Sequence, residues 1–217
     1  MDGSARGCAA RGSLRSRAVP TVYRLPSTVQ VIVLGVDPGT AVTGYGVVTD
    51  GGRGQHTLVE CGVIRTRARD PLAARLAEIF DGITELAARH RPDAIAVEDI
   101  FYGKNVKSTV SLGHARGVIL LAGQRAGLAI HEYSPSEIKK AVAGTGSATK
   151  EQIQFMVARL LRLKEAPAPA DASDGVAAAL TCLMTARVAA LLERRAPERP
   201  LRPAVAADVA SRLRATR

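Results

Sequence analysis

Four acidic residues occupy positions that are typical of a metal site. Asp37 ends the apolar run VIVLGVD, and Glu98 ends the apolar run AIAVE. Asp171 and Asp174 stand three residues apart in ADASDGVAAAL, so at the start of a helix both project from one face. Converging carboxylates repel one another unless cations lie between them, and oxygen ligands without a nearby His or Cys favour Mg2+ or Mn2+. Two such ions about 4 Å apart are suited to phosphodiester hydrolysis.

Each acid can also be explained without a metal site. An acid at a strand end is often a solvated turn residue, and Asp is favoured as a helix cap and in the first helical turn. This interpretation accounts for one member of the pair Asp171 and Asp174. It accounts less well for two acids at the ends of strands that can be neighbours, because ligands bind at the carboxyl ends of strands in α/β sheets. We therefore expect all four carboxylates to lie together at one edge of the sheet.

The elements that must position these acids follow from hydrophobic periodicity. Runs with Pro-Gly and Asp-Gly-Gly turns predict strands over residues 31–37, 43–49 and 56–65. Apolar residues at helical spacing predict a helix through residues 72–86, and the runs AIAVED and LAIHEY predict two more strands. Further helices are predicted over residues 105–124, near PSEIKKAV, and over residues 149–163 and 172–195. Three meandering strands followed by alternating strands and helices indicate an α/β sheet covered by helices.

Length and composition restrict the class of protein. A chain of 217 residues suits one well-cored domain and is short for two. No stretch approaches the ~20 apolar residues of a membrane span, so we expect no membrane insertion. The cysteines, Cys8, Cys61 and Cys182, are far apart and odd in number, which predicts a reducing, cytoplasmic location.

The net charge of +10 is concentrated in the two ends of the chain. Residues 1–30 carry five Arg against one Asp, and residues 191–217 carry seven Arg against three acids. Bulk charge is therefore weak evidence for DNA binding. We predict disordered basic extensions over residues 1–30 and 196–217 around a nuclease domain at 31–195. The first of them also has the composition of a transit peptide, but we favour a misannotated start, with the true start near Val29.

Five segments together resemble successive motifs of one family. The segments GVDPGTAVTGYGVV, AVEDIFYGKN, GHARGVILLA, VAGTGSATKEQI and ADASDGVAAAL are similar, in this order, to those of the RuvC family of Holliday junction resolvases. The resemblance implies an RNase H-like fold, a mixed five-stranded sheet flanked by helices. It also implies a homodimer that cuts four-way DNA junctions with Mg2+, held by Asp37, Glu98, Asp171 and Asp174, and leaves 5′ phosphate and 3′ hydroxyl ends. Coupling to the RuvA and RuvB branch-migration machine is implied as well.

The resemblance gives roles to residues that composition alone would leave unassigned. Phe101, just beyond Glu98, matches a residue that contacts or unstacks bases at the junction, although an aromatic here is otherwise expected in the core. Lys139 and Lys150 match lysines that contact DNA phosphates, although exposed lysines are usually plain surface. We expect all three to bind DNA.

Two glycines four residues apart mark the helix over residues 105–124. An interior Gly costs ~1 kcal/mol relative to Ala, so Gly113 and Gly117 indicate a close contact on their face. Packing on the sheet and a subunit interface, which the family precedent supports, are about equally expected. His114, beside them, is expected at the surface.

Three other classes of protein share parts of this pattern. The DPGT turn resembles the first phosphate loop of the actin, sugar-kinase and Hsp70 ATPases, but those proteins build their site between two such domains. An RNase H-like nuclease acting on RNA would have the same four acids. A non-catalytic scaffold with this fold is disfavoured because all four acids are present. The substrate therefore separates the remaining alternatives.

Overall fold

A five-stranded mixed sheet lies at the centre of the fold. The computed structural model describes residues 30–51, 54–99 and 106–185, with the side chains of residues 106 and 107 excepted. The strands are β1 (Val31–Asp37), β2 (Val42–Asp50), β3 (His56–Arg65), β4 (Ala94–Glu98) and β5 (Ala129–Tyr133). Their order across the sheet is β3-β2-β1-β4-β5, with β1 antiparallel to β2, β2 antiparallel to β3, and parallel pairing of β4 with β1 and β5. The predicted α/β sheet is confirmed.

Five helices cover the two faces of this sheet. They are α1 (Leu72–His90), α2 (Val106–Arg125), α3 (Pro135–Ala143), α4 (Lys150–Leu160) and α5 (Ala170–Met184). All five were predicted, with differences at their ends. The last begins two residues earlier than predicted, because Pro169 is its N-cap residue. The predicted extensions, Phe101 and residues 186–195 of the last predicted helix lie outside the described residues.

Separate hydrophobic clusters fill the space on each side of the sheet. One cluster joins the sheet to α3, α4 and α5, and the other joins it to α1 and α2. Successive side chains of β1 point to opposite faces of the sheet and pack in different clusters. Val33 belongs to the first cluster and Leu34 to the second, and both are fully buried. Because β1 and β4 are covered on both faces, their side chains are nearly all apolar until the carboxylate at the end of each strand.

Helix α5 lies unusually close to β2, and glycines allow this approach. A methyl group on Gly44 would overlap the backbone carbonyl of Asp171, and one on Gly175 would lie 2.6 Å from the Cα of Tyr45. A side chain at either position would push the helix away from the sheet. The glycines therefore determine how near the start of α5 comes to the end of β1, because Asp37 pairs with Gly44.

Capping interactions fix the starts of the two short helices beside α5. Ser134 and Thr149 are their N-cap residues, and each forms a reciprocal capping box, with Glu137 and Gln152 respectively. Helix α3 ends at Gly144, which has the left-handed φ of 79° that favours glycine. These caps define the residues at which α3 and α4 begin, and with them the positions of Lys139 and Lys150.

The glycine pair of α2 does not pack on the sheet. A Cβ atom on Gly113 or Gly117 would meet nothing within 4 Å among the described residues. The buried face of the helix is instead formed by Ala115, Ile119 and Ala122. The expectation that these glycines contact the sheet is therefore wrong, and the subunit interface is left as the prediction for them. His114 is exposed, as predicted.

Candidate active site

The pairing of the central strands brings the first two acids to one edge of the sheet. Strands β1 and β4 are parallel, and Val36 is in register with Val97. Asp37 and Glu98, the next residues of the two strands, therefore end neighbouring strands at the same edge. Both side chains are partly buried. The predicted convergence of the two strand-end acids is confirmed by this register.

Helix α5 adds the other two acids from the layer above the sheet. Asp37, Asp171 and Asp174 each present a carboxylate oxygen, and these three atoms lie within 4.8 Å of one another. Neither aspartate of α5 is the N-cap residue, because that position is Pro169, which makes no side-chain capping bond. The capping interpretation is therefore wrong for this pair, although Asp171 does lie in the first helical turn.

The turn after Asp37 is held by hydrogen bonds. The Thr43 hydroxyl donates to the Gly39 carbonyl at 2.6 Å, closing the turn that follows β1. One residue along, the Arg75 guanidinium of α1 donates to the Thr40 carbonyl at 2.6 Å. The backbone that follows the first carboxylate is thus tied to β2 and to α1.

A cavity opens beside the carboxylates. It has a volume of about 340 Å³ and is lined by Asp37, Glu98, Asp174 and two lysines, Lys139 and Lys150, together with apolar residues of α3, α4 and α5. Glu98 is not within the 4.8 Å group of three, but it lines the same cavity and acts electrostatically on Asp37. The fourth acid therefore lines the same cavity but lies outside the group of three.

Burial and mutual repulsion raise the pKa of two of these acids. Removal from water is the main cause for Asp37, whose pKa rises to about 8, and the charges of Glu98, Asp174 and Asp171 add to it. Burial likewise raises the pKa of Glu98 to about 7, with a further contribution from Asp174. A site that holds carboxylates against such a penalty is a candidate functional site, because a bound cation would remove the repulsion.

The two lysines partly compensate the acids in different ways. The Lys150 ammonium lies 2.8 Å from a carboxylate oxygen of Asp174, and this contact raises the pKa of Lys150. Lys139 acts from farther away, where its charge lowers the pKa of Glu98 against the effect of burial. The structure therefore places both predicted lysines at the cavity, and of the two, within the described residues, Lys150 alone forms an ion pair with one of the four acids.

The donor set fits a hard divalent cation. Carboxylate oxygens alone are the ligands preferred by Mg2+ and Mn2+, and three of them converge on one point. Asp37, Asp171 and Asp174 are the residues that could hold such an ion, and Glu98 is the additional acid on the cavity wall.

Arg116 is a residue of this region that the sequence analysis did not identify. Its guanidinium lies 3.2 Å from a carboxylate oxygen of Asp99 and also contacts Glu132 of β5. It thereby links α2 to the residue that directly follows Glu98. The only sequence signal was its place in GHARG, a segment noted for its glycines.

Comparison with known proteins gives the family. A family model described as "Crossover junction endodeoxyribonuclease RuvC" matches residues 33–182. The protein of that name from Pelotomaculum thermopropionicum is 47% identical over 150 residues, which cover 69% of this chain and 91% of the relative. Its counterpart from a Parafrankia species is 48% identical over 168 residues, covering 77% of this chain and 94% of the relative.

Solved structures agree with this assignment. The structure of T. thermophilus RuvC in complex with Holliday junction substrate matches with a TM-score of 0.69 and 36% identity, covering 73% of this chain and 96% of that one. The yeast mitochondrial Holliday junction resolvase Ydc2 matches with a TM-score of 0.54 and 14% identity, covering 78% of this chain and 85% of that one, which supports the fold alone. The predicted RNase H-like fold class is confirmed, and the chain belongs to the RuvC family of crossover junction endodeoxyribonucleases.

Proposed function

We propose that this chain is a Mg2+-dependent endonuclease that resolves four-way DNA junctions by symmetric phosphodiester hydrolysis in recombination and repair. The observation that carries the proposal is the group of three carboxylates within 4.8 Å, in a chain that matches the RuvC family over residues 33–182. The same name is carried by relatives that are 47–48% identical to this chain over the aligned residues. In this proposal the scissile phosphate enters the cavity of about 340 Å³ beside the carboxylates.

The four acids hold the metal in this proposal. Asp37, Asp171 and Asp174 are the ligands that already converge, and Glu98, at the end of the neighbouring strand β4, completes the set. When bound, divalent ions there would lower the pKa of an attacking water and stabilise the leaving oxygen. The burial that raises the pKa values of Asp37 and Glu98 also excludes water from one side of the site, which strengthens their electrostatic effect on a ligand.

Three residues are assigned to DNA. Lys139 and Lys150 line the cavity with their charges near the acids, so a phosphate entering the site meets two cations as well as the metal. Phe101 follows Glu98 by three residues and is proposed to stack on bases opened at the crossover, a contact worth ~1–3 kcal/mol per base. The lysines position the backbone, whereas the aromatic ring distinguishes open bases from continuous duplex.

A homodimer is proposed through the outer face of α2. Val110 and Leu121 are 53% and 52% exposed on this helix, and Gly113 and Gly117 lie between them at spacings of three and four residues. This set forms one apolar stripe with open space above its glycines, which permits the close approach of a second helix. A twofold dimer supplies two metal sites related by the symmetry of a four-way junction.

The dimer is tested by changing the stripe. Gly117→Glu should convert the dimer into a monomer in sedimentation equilibrium, because it places a charge at the closest approach of the two helices. Val59→Glu, at an equally exposed apolar residue of β3, is the control and should leave the association unchanged. A Gly117→Glu protein that remained dimeric would contradict the assigned interface.

A panel of substrates tests the function itself. With Mg2+ the protein should nick a synthetic four-way junction and leave linear duplex and RNA–DNA hybrid largely intact, and EDTA should abolish nicking. Equal cutting of the hybrid would favour an RNA-directed nuclease, whereas ATP hydrolysis without nicking would favour the ATPase class. Cooperation with the RuvA and RuvB branch-migration machine is a further proposal that rests on family membership.

A further inference from the structure

Lys150 occupies a position that local helix energetics disfavour. It is the first residue of α4, directly after the N-cap residue Thr149. The N-terminal end of a helix carries a partial positive charge, so a cation in the first turn is normally destabilising. The following residue, Glu151, has the charge that this position favours. An unfavourable local choice of this kind is expected where a residue serves a function.

The contact that compensates Lys150 is an acid of the proposed metal site. Its ammonium lies 2.8 Å from Asp174, and both residues line the cavity with Asp37. Asp174 is also one of the three carboxylates that converge within 4.8 Å. The ammonium is therefore bound to a carboxylate oxygen of a proposed metal ligand, and it provides part of the positive charge that the acids require.

We propose that Lys150 exchanges between Asp174 and a DNA phosphate, so that metal binding and DNA binding strengthen each other. The proposal rests on the proposed function, because it takes the acids as metal ligands and DNA as the substrate. A cation that binds Asp174 must first break the ion pair and then repels the ammonium. A phosphate that binds Lys150 must break the same pair. Whichever ligand binds first pays this cost, and the second binds without it.

The two lysines of the cavity provide a matched comparison. Lys139 lines the same space and carries the same charge, but among the described residues it forms no ion pair with any of the four acids. Removing either lysine makes the cavity more negative, which attracts a cation. Only removal of Lys150 also abolishes the ion pair that a cation must break.

The first measurement is the affinity for Mn2+ without DNA, read from the free Mn2+ signal in electron paramagnetic resonance. We expect Lys150→Met to bind Mn2+ about twofold to fivefold more tightly than the unaltered protein, a factor typical of a partly exposed ion pair, and Lys139→Met to change much less. The Lys150 side chain is about half exposed, at 51%, so Met is tolerated there, and Lys150→Gln provides a second variant. Equal changes for the two lysines, or weaker binding by both Lys150 variants, would overturn the proposal.

The second measurement is the affinity for a fluorescent four-way junction with and without Mn2+, by anisotropy at low temperature, with intact DNA verified on denaturing gels. Mn2+ should strengthen binding by about twofold to fivefold more in the unaltered protein and in Lys139→Met than in Lys150→Met. The same gain in all three proteins would refute the exchange. If the unaltered protein nonetheless cuts junctions with Mg2+, the exchange alone fails, whereas absence of both Mn2+ binding and cutting would remove the proposed function as well.

Discussion

Replacing Asp37 by Asn should stabilise the metal-free protein at high pH, although it removes a proposed metal ligand. Burial and the neighbouring acids raise the pKa of Asp37 from 3.8 to about 8. The folded state therefore favours the protonated acid. As far as this group is concerned, the free energy of unfolding is greatest below about pH 4 and falls as the pH rises from there through about 8. Asn retains the shape of the side chain and carries no charge at any of these pH values.

The magnitude of the effect follows from the two pKa values. The pKa of Asp37 differs by about 4 between the unfolded and the folded state. This difference corresponds to roughly 5 kcal/mol of unfolding free energy that is lost when Asp37 ionises, and counter-ions in the open cavity reduce the loss. We therefore expect Asp37→Asn to gain ~1–3 kcal/mol at pH 8.5, or roughly 3–10 °C in melting temperature, and almost nothing at pH 4.

The assay is thermal unfolding in EDTA from pH 4 to pH 9, followed by circular dichroism. Asp81→Asn, at an exposed acid of α1, is the control and should show no such dependence on pH. Addition of Mg2+ should reverse the order at pH 8.5, because the unaltered protein gains more from the cation than the variant does. A metal-free variant less stable than the unaltered protein at pH 8.5 would refute the reasoning that these acids repel one another in the fold.

Three other predictions concern the same site. Glu98→Gln and Asp174→Asn should each abolish junction cleavage in a gel assay while junction binding is retained, and substantial cleavage by either would remove that residue from the metal site. Lys139→Ala and Lys150→Ala should each weaken junction binding and make the slope of log affinity against log salt concentration shallower by about one. An unchanged slope would show that the replaced lysine does not contact a DNA phosphate. Gly44→Ala should lower both the melting temperature and the affinity for Mg2+, because its methyl group displaces the start of α5. Normal Mg2+ binding by this variant would show that the close approach of α5 to β2 does not position the acids.

The sequence predicts the sheet and the acids because both depend on local pattern. Apolar runs that end in a carboxylate identify β1 and β4, and the parallel order of strands that follows from the topology places Asp37 and Glu98 together. The spacing of three residues in α5 places Asp171 and Asp174 on one face as soon as the helix begins. Identifying these acids requires no knowledge of how distant segments pack, whereas the pairing of β1 with β4 is seen only in the structure.

Other features depend on packing between distant segments and were not predicted from the pattern. The nearness of α5 to the sheet follows from Gly44 of β2, which lies against Asp171 of α5, and from Gly175 of α5, which lies against Tyr45 of β2. These contacts join segments that are more than a hundred residues apart in sequence. The ion pair of Lys150 with Asp174 likewise joins two helices. The sequence places Gly117 in a helix, but only the structure shows that its face meets open space instead of the sheet.

Paired cutting of a four-way junction tests the central claim most directly. The measurement maps the nicks on all four strands of a synthetic junction at nucleotide resolution, with each strand labelled in turn and Mg2+ present. We predict nicks on two opposing strands at symmetric positions, and none with Asp174→Asn, because two sites related by a twofold axis act on one junction. Nicks on a single strand, at unrelated positions, or equally on linear duplex would contradict the account.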